Sequence, residues 1–126
     1  MQTILLADDE KPLRILVHTT LDSPEFKILE ASDGVEALEV ARRERPDLLV
    51  LDGMMPSLTG LEVARQLRLD PATACIPIIM LTAKGQEADR ELAAKAGITA
   101  YLVKPFSPLE LLERVRAALA VGTRRR

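Results

Sequence analysis

Short apolar runs alternate with amphipathic stretches along the whole chain. The runs fall at residues 3–8, 26–31, 47–52, 76–81 and 99–103. Apolar runs of this length, with little polar alternation, are typical of strands buried on both faces of a parallel sheet. We therefore predict five strands. The second run contains Lys27 and Glu30, which favours an edge of the sheet for that strand.

The stretches between the runs carry apolar residues at helical spacing. Five such stripes occur, and they begin at Leu13, Val35, Leu61, Ala88 and Leu111. Asp33 before the second stripe and Ser107 before the fifth are predicted helix caps, and Gly97 after the fourth is predicted to adopt a left-handed conformation. Strand and helix thus alternate five times, which predicts an α/β fold: a doubly wound (βα)5 domain with a five-stranded parallel sheet. The flavodoxin-like strand order 2-1-3-4-5 is expected by analogy with known domains of this type, and not from the residues themselves.

Length and composition support one soluble domain with a sizeable core. The chain has 126 residues, of which 48% are apolar, so disorder is not expected. The net charge of −2 argues against direct binding to nucleic acid or to a membrane surface. We assign residues 1–121 to the domain, and interpret 122–126, which end in three arginines, as a basic tail or the start of a linker.

Cysteine usage and the first residues favour the cytoplasm. Cys75 is the only cysteine, so the chain cannot form an intramolecular disulfide, which fits a reducing compartment. Asp8 and Asp9 interrupt the first apolar run too early for a signal peptide. We therefore expect a cytoplasmic protein.

Charged and hydroxyl side chains follow the apolar runs. Asp8 and Asp9 lie at the end of the first predicted strand, Asp52 ends the third, Thr82 follows the fourth and Lys104 follows the fifth. In parallel sheets, ligands bind outside the carboxyl ends of the strands. Two carboxylates about 5 Å apart repel by about 3 kcal/mol at an effective dielectric constant near 20, and a divalent cation removes that repulsion. Oxygen ligands favour Mg²⁺, with Mn²⁺ as an alternative. The competing interpretation is that each Asp caps a strand end and faces water.

These motifs, in this order and spacing, resemble the response-regulator receiver domain of two-component signalling. The resemblance covers residues 1 to about 120. Its motifs are Asp8-Asp9, the segment 51–56 (Leu-Asp-Gly-Met-Met-Pro) leading to Gly60, the segment 81–83 (Leu-Thr-Ala), and the segment 104–106 (Lys-Pro-Phe). The resemblance implies the flavodoxin-like fold of chemotaxis receivers and a role in phosphorelay signal transduction.

The resemblance also implies roles for individual residues. Asp52 would be the phosphoryl acceptor, which makes the chain a phosphoprotein. Asp9, Asp52 and the Met54 backbone carbonyl would hold Mg²⁺, while Asp8 would act mainly through water. Thr82 and Lys104 would contact the phosphoryl oxygens. Tyr101 resembles the switching aromatic residue of the family.

The implied partners follow from that chemistry. The phosphoryl donor would be a phosphohistidine on a sensor histidine kinase or a histidine phosphotransferase. Phosphorylation would change the surface formed by the fourth helix, fifth strand and fifth helix. That surface would engage a downstream protein, an output domain C-terminal to this chain, or a second copy in a homodimer. The chain would catalyse only its own phosphotransfer and dephosphorylation, so we do not expect an enzyme.

Two alternatives remain open at this point. A phosphohydrolase of the haloacid-dehalogenase type also uses an Asp nucleophile with Mg²⁺, Thr and Lys. That class expects a second Asp two residues after the nucleophile, where this chain has Met54. The other alternative is a degenerate receiver that is not phosphorylated and acts as a binding module. The complete set of three Asp, one Thr and one Lys argues against it.

Overall fold

Five parallel strands form one sheet in a computed structural model, which describes residues 1–83 and 97–125. The strands are β1 (Gln2–Ala7), β2 (Phe26–Ala31), β3 (Leu48–Asp52), β4 (Ile78–Ala83) and β5 (Ala100–Lys104). Their spatial order is β2-β1-β3-β4-β5, with β2 at one edge. The order and the edge position of β2 confirm both expectations.

β2 spans the predicted residues 26–31, whereas the other strands differ from their predicted bounds by one or two residues at one or both ends. β4 begins at Ile78 and not at residue 76. Pro77 has no N–H to contribute to a sheet ladder, which accounts for this later start. β4 then continues to Ala83, because Thr82 pairs with Val103 and Ala83 pairs with Lys104. Thr82 therefore lies inside the strand and not after it.

Within the described ranges a helix follows β1, β2, β3 and β5, and polar side chains cap the start of each of these helices except the first. The described helices are α1 (Lys11–Leu21), α2 (Gly34–Glu44), α3 (Gly60–Leu69) and a C-terminal helix (Pro108–Arg125). The Asp33 side chain accepts a 2.8 Å hydrogen bond from the Glu36 N–H, as an N-cap does. Ser107 and Glu110 form a reciprocal capping box. Both predicted caps are confirmed.

The predicted fourth helical stripe, which begins at Ala88, lies outside the described residues. Gly97, which follows that stripe, has the left-handed conformation expected there, with φ of 72°. No helix within the described ranges is long and apolar enough to cross a membrane.

The sheet separates two apolar layers. Leu5, Leu49 and Ile78 face α2 and α3, and belong to one buried cluster with helix residues such as Val63 and Leu67. The alternate strand residues lie in a second cluster with α1 and the C-terminal helix; among them are Ile4, Leu6, Leu48, Val50, Ile79 and Leu81. Because both faces of the central strands are covered, these strands are continuous apolar runs.

Candidate functional site

The carboxyl end of the sheet brings together the polar residues predicted to form a site. Asp8 and Asp9 follow β1, and Asp52 ends the neighbouring strand β3. One carboxylate oxygen from each lies within 4.8 Å of those of the other two, a spacing that suits a single metal ion. Thr82 in β4 and Lys104 at the end of β5 reach the same edge. The competing picture, strand-end caps that face water, fits the exposed Asp9 but not Asp8 and Asp52, which are buried.

Lys104 is placed between the two buried carboxylates. Its Nζ lies 3.2 Å from Asp52 Oδ1 and 3.7 Å from Asp8 Oδ2. Asp8 is fully buried and Asp52 is 4% exposed, whereas Asp9 is exposed. One ammonium group thus faces three carboxylates, so negative charge is in excess at this edge. Excess negative charge in a poorly hydrated site is the condition that a divalent cation relieves.

Burial and the neighbouring negative charge make ionisation of the Asp8 carboxyl group less favourable. Burial, the largest cause, raises the pKa of Asp8 from 3.8 to about 6. The Glu10 N–H, which donates a 2.8 Å hydrogen bond to Asp8 Oδ1, lowers this pKa, while the nearby charge of Asp52 raises it and that of Lys104 lowers it. Asp8 Oδ2 is buried and accepts no hydrogen bond from any residue that the structure describes. A buried carboxylate oxygen without a donor fits a site that completes its coordination with a cation or its water.

The loop after β3 is fixed close to Asp52 by backbone hydrogen bonds. The Gly53 N–H donates to the Leu81 carbonyl at 2.9 Å, and the Gly53 carbonyl accepts from the Gly60 N–H at 3.2 Å. The Met54 N–H donates to Asp52 Oδ1 at 3.2 Å. A Cβ at position 60 would lie 2.5 Å from the Asp52 carbonyl oxygen, so glycine permits this close approach.

The Met54 side chain lies at the surface of this loop. It is 61% exposed, although Met55 beside it is buried in the core. Met54 follows Asp52 by two positions, so its backbone is near the cluster while its thioether faces outward. The role of its carbonyl as a metal ligand stays a prediction.

The two residues predicted to form a switch lie on neighbouring strands. Thr82 is half-buried in β4, and Tyr101 is half-buried in β5, where it pairs with Met80. The Tyr101 ring packs against the apolar layer that contains α2 and α3. The switching role of Tyr101 stays a prediction.

One residue in contact with the site was not predicted from the sequence. Arg14, in the first turn of α1, donates a 2.6 Å hydrogen bond to the Asp8 carbonyl oxygen. Arg14 and Asp8 are separated by a turn, and no sequence motif pairs an arginine with a strand-end carbonyl at that spacing. The contact depends on how α1 leaves the sheet, which only the fold reveals.

Comparison with known proteins agrees with this geometry. The family model described as the response regulator receiver domain matches residues 4–116. The phosphate regulon transcriptional regulatory protein PhoB of Pseudomonas aeruginosa is 43% identical to this chain over 118 residues, which are 94% of this chain and 52% of the relative. The chain therefore spans about half the length of the curated relatives that it matches.

Solved structures show the same architecture. The chemotaxis response regulator CheY4 of Vibrio cholerae superposes with a TM-score of 0.87 at 33% identity, covering 94% of this chain and 98% of that one. The receiver domain of a sensor histidine kinase of Pseudomonas aeruginosa gives a TM-score of 0.85 at 32% identity, with the same coverage. That second structure contains a magnesium ion coordinated in its active-site cleft.

Proposed function

The chain belongs to the response regulator receiver domain family, and we propose that it is a switch activated by phosphorylation of Asp52. The donor is a phosphohistidine on a sensor histidine kinase or a histidine phosphotransferase. One observation carries the proposal. The Asp52 carboxylate lies at the centre of the site, within metal-ligand spacing of Asp8 and Asp9 and 3.2 Å from the Lys104 ammonium.

The contacts of Asp52 suggest which of its atoms reacts. Lys104 Nζ and the Met54 N–H both lie 3.2 Å from Oδ1, which fixes the rotation of the carboxylate and leaves Oδ2 to attack. The new Oδ2–P bond forms as the N–P bond of the phosphohistidine breaks, and the imidazole nitrogen keeps the bonding electron pair. Phosphoryl transfer depends on positioning and charge neutralisation, which these residues provide.

The acidic cluster is the proposed cation site. Mg²⁺, or Mn²⁺ in its place, would be held by Asp9, Asp52 and the Met54 carbonyl, with Asp8 acting through water, and would neutralise charge on the transferring group. The buried Asp8 Oδ2, which accepts no hydrogen bond from residues 1–83 or 97–125, supports this site.

Phosphorylation would then act on the switch residues. Thr82 and Lys104 would contact the phosphoryl oxygens as charge-assisted hydrogen-bond donors. Movement of Thr82 toward the phosphoryl group would open space beside β5 for the Tyr101 ring. The responding surface would consist of β5, the C-terminal helix and the predicted fourth helix, and would contact a downstream protein, an output domain or a second copy.

Labelling with a small phosphodonor tests the acceptor. Incubation with acetyl phosphate and Mg²⁺ should add one phosphoryl group to the protein, as seen by mass spectrometry. Asp52→Asn should abolish the addition. Asp47→Asn is the matched control, because Asp47 precedes the same strand at its other end, and this variant should be labelled like the wild type. Labelling of Asp52→Asn, or no labelling of the wild type, would contradict the proposal.

Labelling, together with a turnover assay on small phosphate esters, separates the two alternatives. A degenerate receiver would not be labelled at all. A phosphohydrolase would release inorganic phosphate catalytically from small phosphate esters. The exposed, apolar Met54 side chain lies where that class requires an acid–base Asp, so we expect no such turnover.

A further inference from the structure

The Asp8 residue is held at three of its polar groups. Its N–H donates to the Ala31 carbonyl of β2 at 3.1 Å. Its Oδ1 accepts from the Glu10 N–H at 2.8 Å, and its carbonyl oxygen accepts from Arg14 Nη1 at 2.6 Å. The last of these bonds fixes the peptide unit that joins Asp8 to Asp9, because a carbonyl and the following N–H lie in one plane.

Asp9 depends on that peptide unit for its direction. Its side chain is exposed and, within residues 1–83 and 97–125, accepts no hydrogen bond from another residue. Nevertheless, one of its carboxylate oxygens lies within 4.8 Å of oxygens of Asp8 and Asp52. With no side-chain partner to orient it, the Asp9 carboxylate is directed by its backbone, and that backbone is held by Arg14.

Arg14 is itself held in place by Glu30, a residue of β2. Its Nε lies 3.3 Å from Glu30 Oε1, and its side chain is 17% exposed. The other oxygen, Glu30 Oε2, lies 2.7 Å from His18 Nδ1. The planar guanidinium can direct separate N–H groups at Glu30 and at the Asp8 carbonyl at once, which a lysine ammonium on a flexible stem does less well.

The positive charge of Arg14 distinguishes two ways in which it could affect the site, namely electrostatic repulsion of a metal ion and its hydrogen bond to the Asp8 carbonyl. A cation beside a proposed Mg²⁺ site repels the metal and would weaken binding if charge were its only contribution. Glu30 offsets that charge at a distance of 3.3 Å. The arrangement therefore retains the hydrogen bond of an arginine to the Asp8 carbonyl while reducing its repulsion of a metal ion.

We infer that Arg14 is a positioning residue for the cation site, which orients the Asp9 carboxylate by holding the Asp8 carbonyl and is kept in place by Glu30. The inference rests on the proposed function, since it concerns the proposed Mg²⁺ site. Residues of this kind, which touch a ligand-bearing residue and not the metal, typically contribute about ten- to a hundredfold to metal affinity.

Mg²⁺ titration of three proteins tests the inference, with amide NMR shifts reporting the Kd. Arg14→Met should bind Mg²⁺ with a Kd about tenfold higher than that of the wild type. Lys11→Met is the matched control, because it removes the same charge from the same helix without touching the Asp8 carbonyl. It should leave the Kd unchanged or slightly lower. Electrostatics alone predicts a lower Kd for both variants, so the sign of the Arg14→Met effect separates the two explanations.

Two further measurements keep the result interpretable. Urea denaturation without Mg²⁺ gives the stability of each protein, and a merely structural Arg14 would change that stability while leaving the Kd alone. Arg14→Lys, a milder variant, should give an intermediate Kd if Arg14→Met does not fold. An equal or lower Kd in a folded Arg14 variant would overturn the inference and leave the proposed function intact. No Mg²⁺ binding by the wild type would overturn both.

Discussion

At the amino end of the sheet the Thr3 N–H donates a hydrogen bond to Asp47 Oδ2, and the Asp47 N–H donates one to the Thr3 carbonyl oxygen, both at 2.8 Å. At the carboxyl end the buried Oδ2 of Asp8 accepts no hydrogen bond from any described residue. The two aspartates lie beside neighbouring strands, yet Asp47 stabilises the fold through these bonds, whereas Asp8 shares the Lys104 ammonium, 3.7 Å from its Oδ2, with Asp52. Residue type alone does not determine which role a carboxylate takes.

The cations at the two ends show the same contrast. At the amino end the Arg68 guanidinium donates to the carbonyls of Ala74, Ile76 and Gly97, at 3.0, 2.8 and 2.7 Å. It thereby joins α3 to the segments that precede β4 and β5. At the carboxyl end Lys104 is shared between two buried carboxylates. We interpret the amino end as built for stability and the carboxyl end as keeping the excess charge that a reversible switch requires.

The largest expected effect lies at the amino end. Arg68→Met should lower the free energy of unfolding by about 3 kcal/mol, because hydrogen bonds to charged groups contribute about 1.5–3 kcal/mol each and their partners are left without a donor. Urea denaturation measures the change. Arg65→Met, an exposed arginine on the same helix, is the control and should change the stability little. Equal losses of unfolding free energy in the two variants would contradict the interpretation that the amino end of the sheet is built for stability.

The carboxyl end should respond with the opposite sign. In the absence of metal, Asp8→Asn should raise the free energy of unfolding near neutral pH, by at most about 3 kcal/mol, since one pKa unit corresponds to about 1.4 kcal/mol. The folded pKa of Asp8, about 6, is above its ordinary 3.8, so the folded state binds the proton more tightly. The stability contributed by Asp8 is therefore present at low pH and is lost as the pH rises through about 6.

The pH dependence supplies the control for that variant. Urea denaturation of both proteins should give curves that differ most near neutral pH and converge below the ordinary pKa of 3.8. Titrating groups far from Asp8 are common to both proteins and cancel in the difference. If Asp8→Asn is less stable than the wild type at neutral pH, the carboxylate stabilises the fold and the contrast is incorrect.

Mg²⁺ should stabilise the fold by binding at the carboxyl end of the sheet, where it neutralises the excess negative charge. At one hundred times its Kd, Mg²⁺ should raise the free energy of unfolding by about 2.7 kcal/mol. Thermal melts with and without Mg²⁺ measure this. Arg68→Met should show the same increment as the wild type, because distant sites act additively, whereas Asp9→Ala should show a smaller one. An unchanged melting midpoint at roughly tens of millimolar Mg²⁺ would argue against a cation site.

Apolar patterning and cap residues were sufficient to predict the number of strands and where most elements begin. The confirmed features include β2 at an edge and the caps at Asp33 and Ser107. The strand order came from analogy. Exact strand ends could not be predicted, because pairing across the sheet decides them: β4 extends through Thr82 since β5 offers partners there. An apolar run in the sequence indicates which residues are buried, but not how many of them form hydrogen bonds to the neighbouring strand.

The candidate site was predictable where it depends on strand ends. Asp8, Asp9, Asp52 and Lys104 each follow or close an apolar run, and parallel strands bring such ends to one edge. Contacts that depend on side-chain reach or on close backbone approach were missed. Arg14 reaches the Asp8 carbonyl across a turn. A Cβ at Gly34 would clash with the Leu58 carbonyl oxygen, which no local pattern reveals.

The smallest expected effect concerns the backbone of the carboxyl end. Gly53 lacks a left-handed φ, and a Cβ there would lie 3.3 Å from the Leu81 carbonyl oxygen, which requires only a slight adjustment. Replacing glycine by alanine at a compatible position stabilises by about 0.4–1 kcal/mol, because it restricts the unfolded chain. The tight contact opposes that gain, so Gly53→Ala should change the free energy of unfolding by less than about 1 kcal/mol in either direction.

Gly60→Ala is the matched control for that substitution, because Gly60 begins α3 at the far end of the same loop and a Cβ there would lie 2.5 Å from the Asp52 carbonyl oxygen. Overpacking of that kind costs about 1–3 kcal/mol. Urea denaturation of the two variants compares them directly. A large loss in Gly53→Ala would show that the backbone around Asp52 is as tightly packed as the amino end, so that the contrast between the ends lies in their charges alone. A small change in both variants would show instead that the loop adjusts to an added methyl group, so that looser packing as well as excess charge distinguishes the carboxyl end.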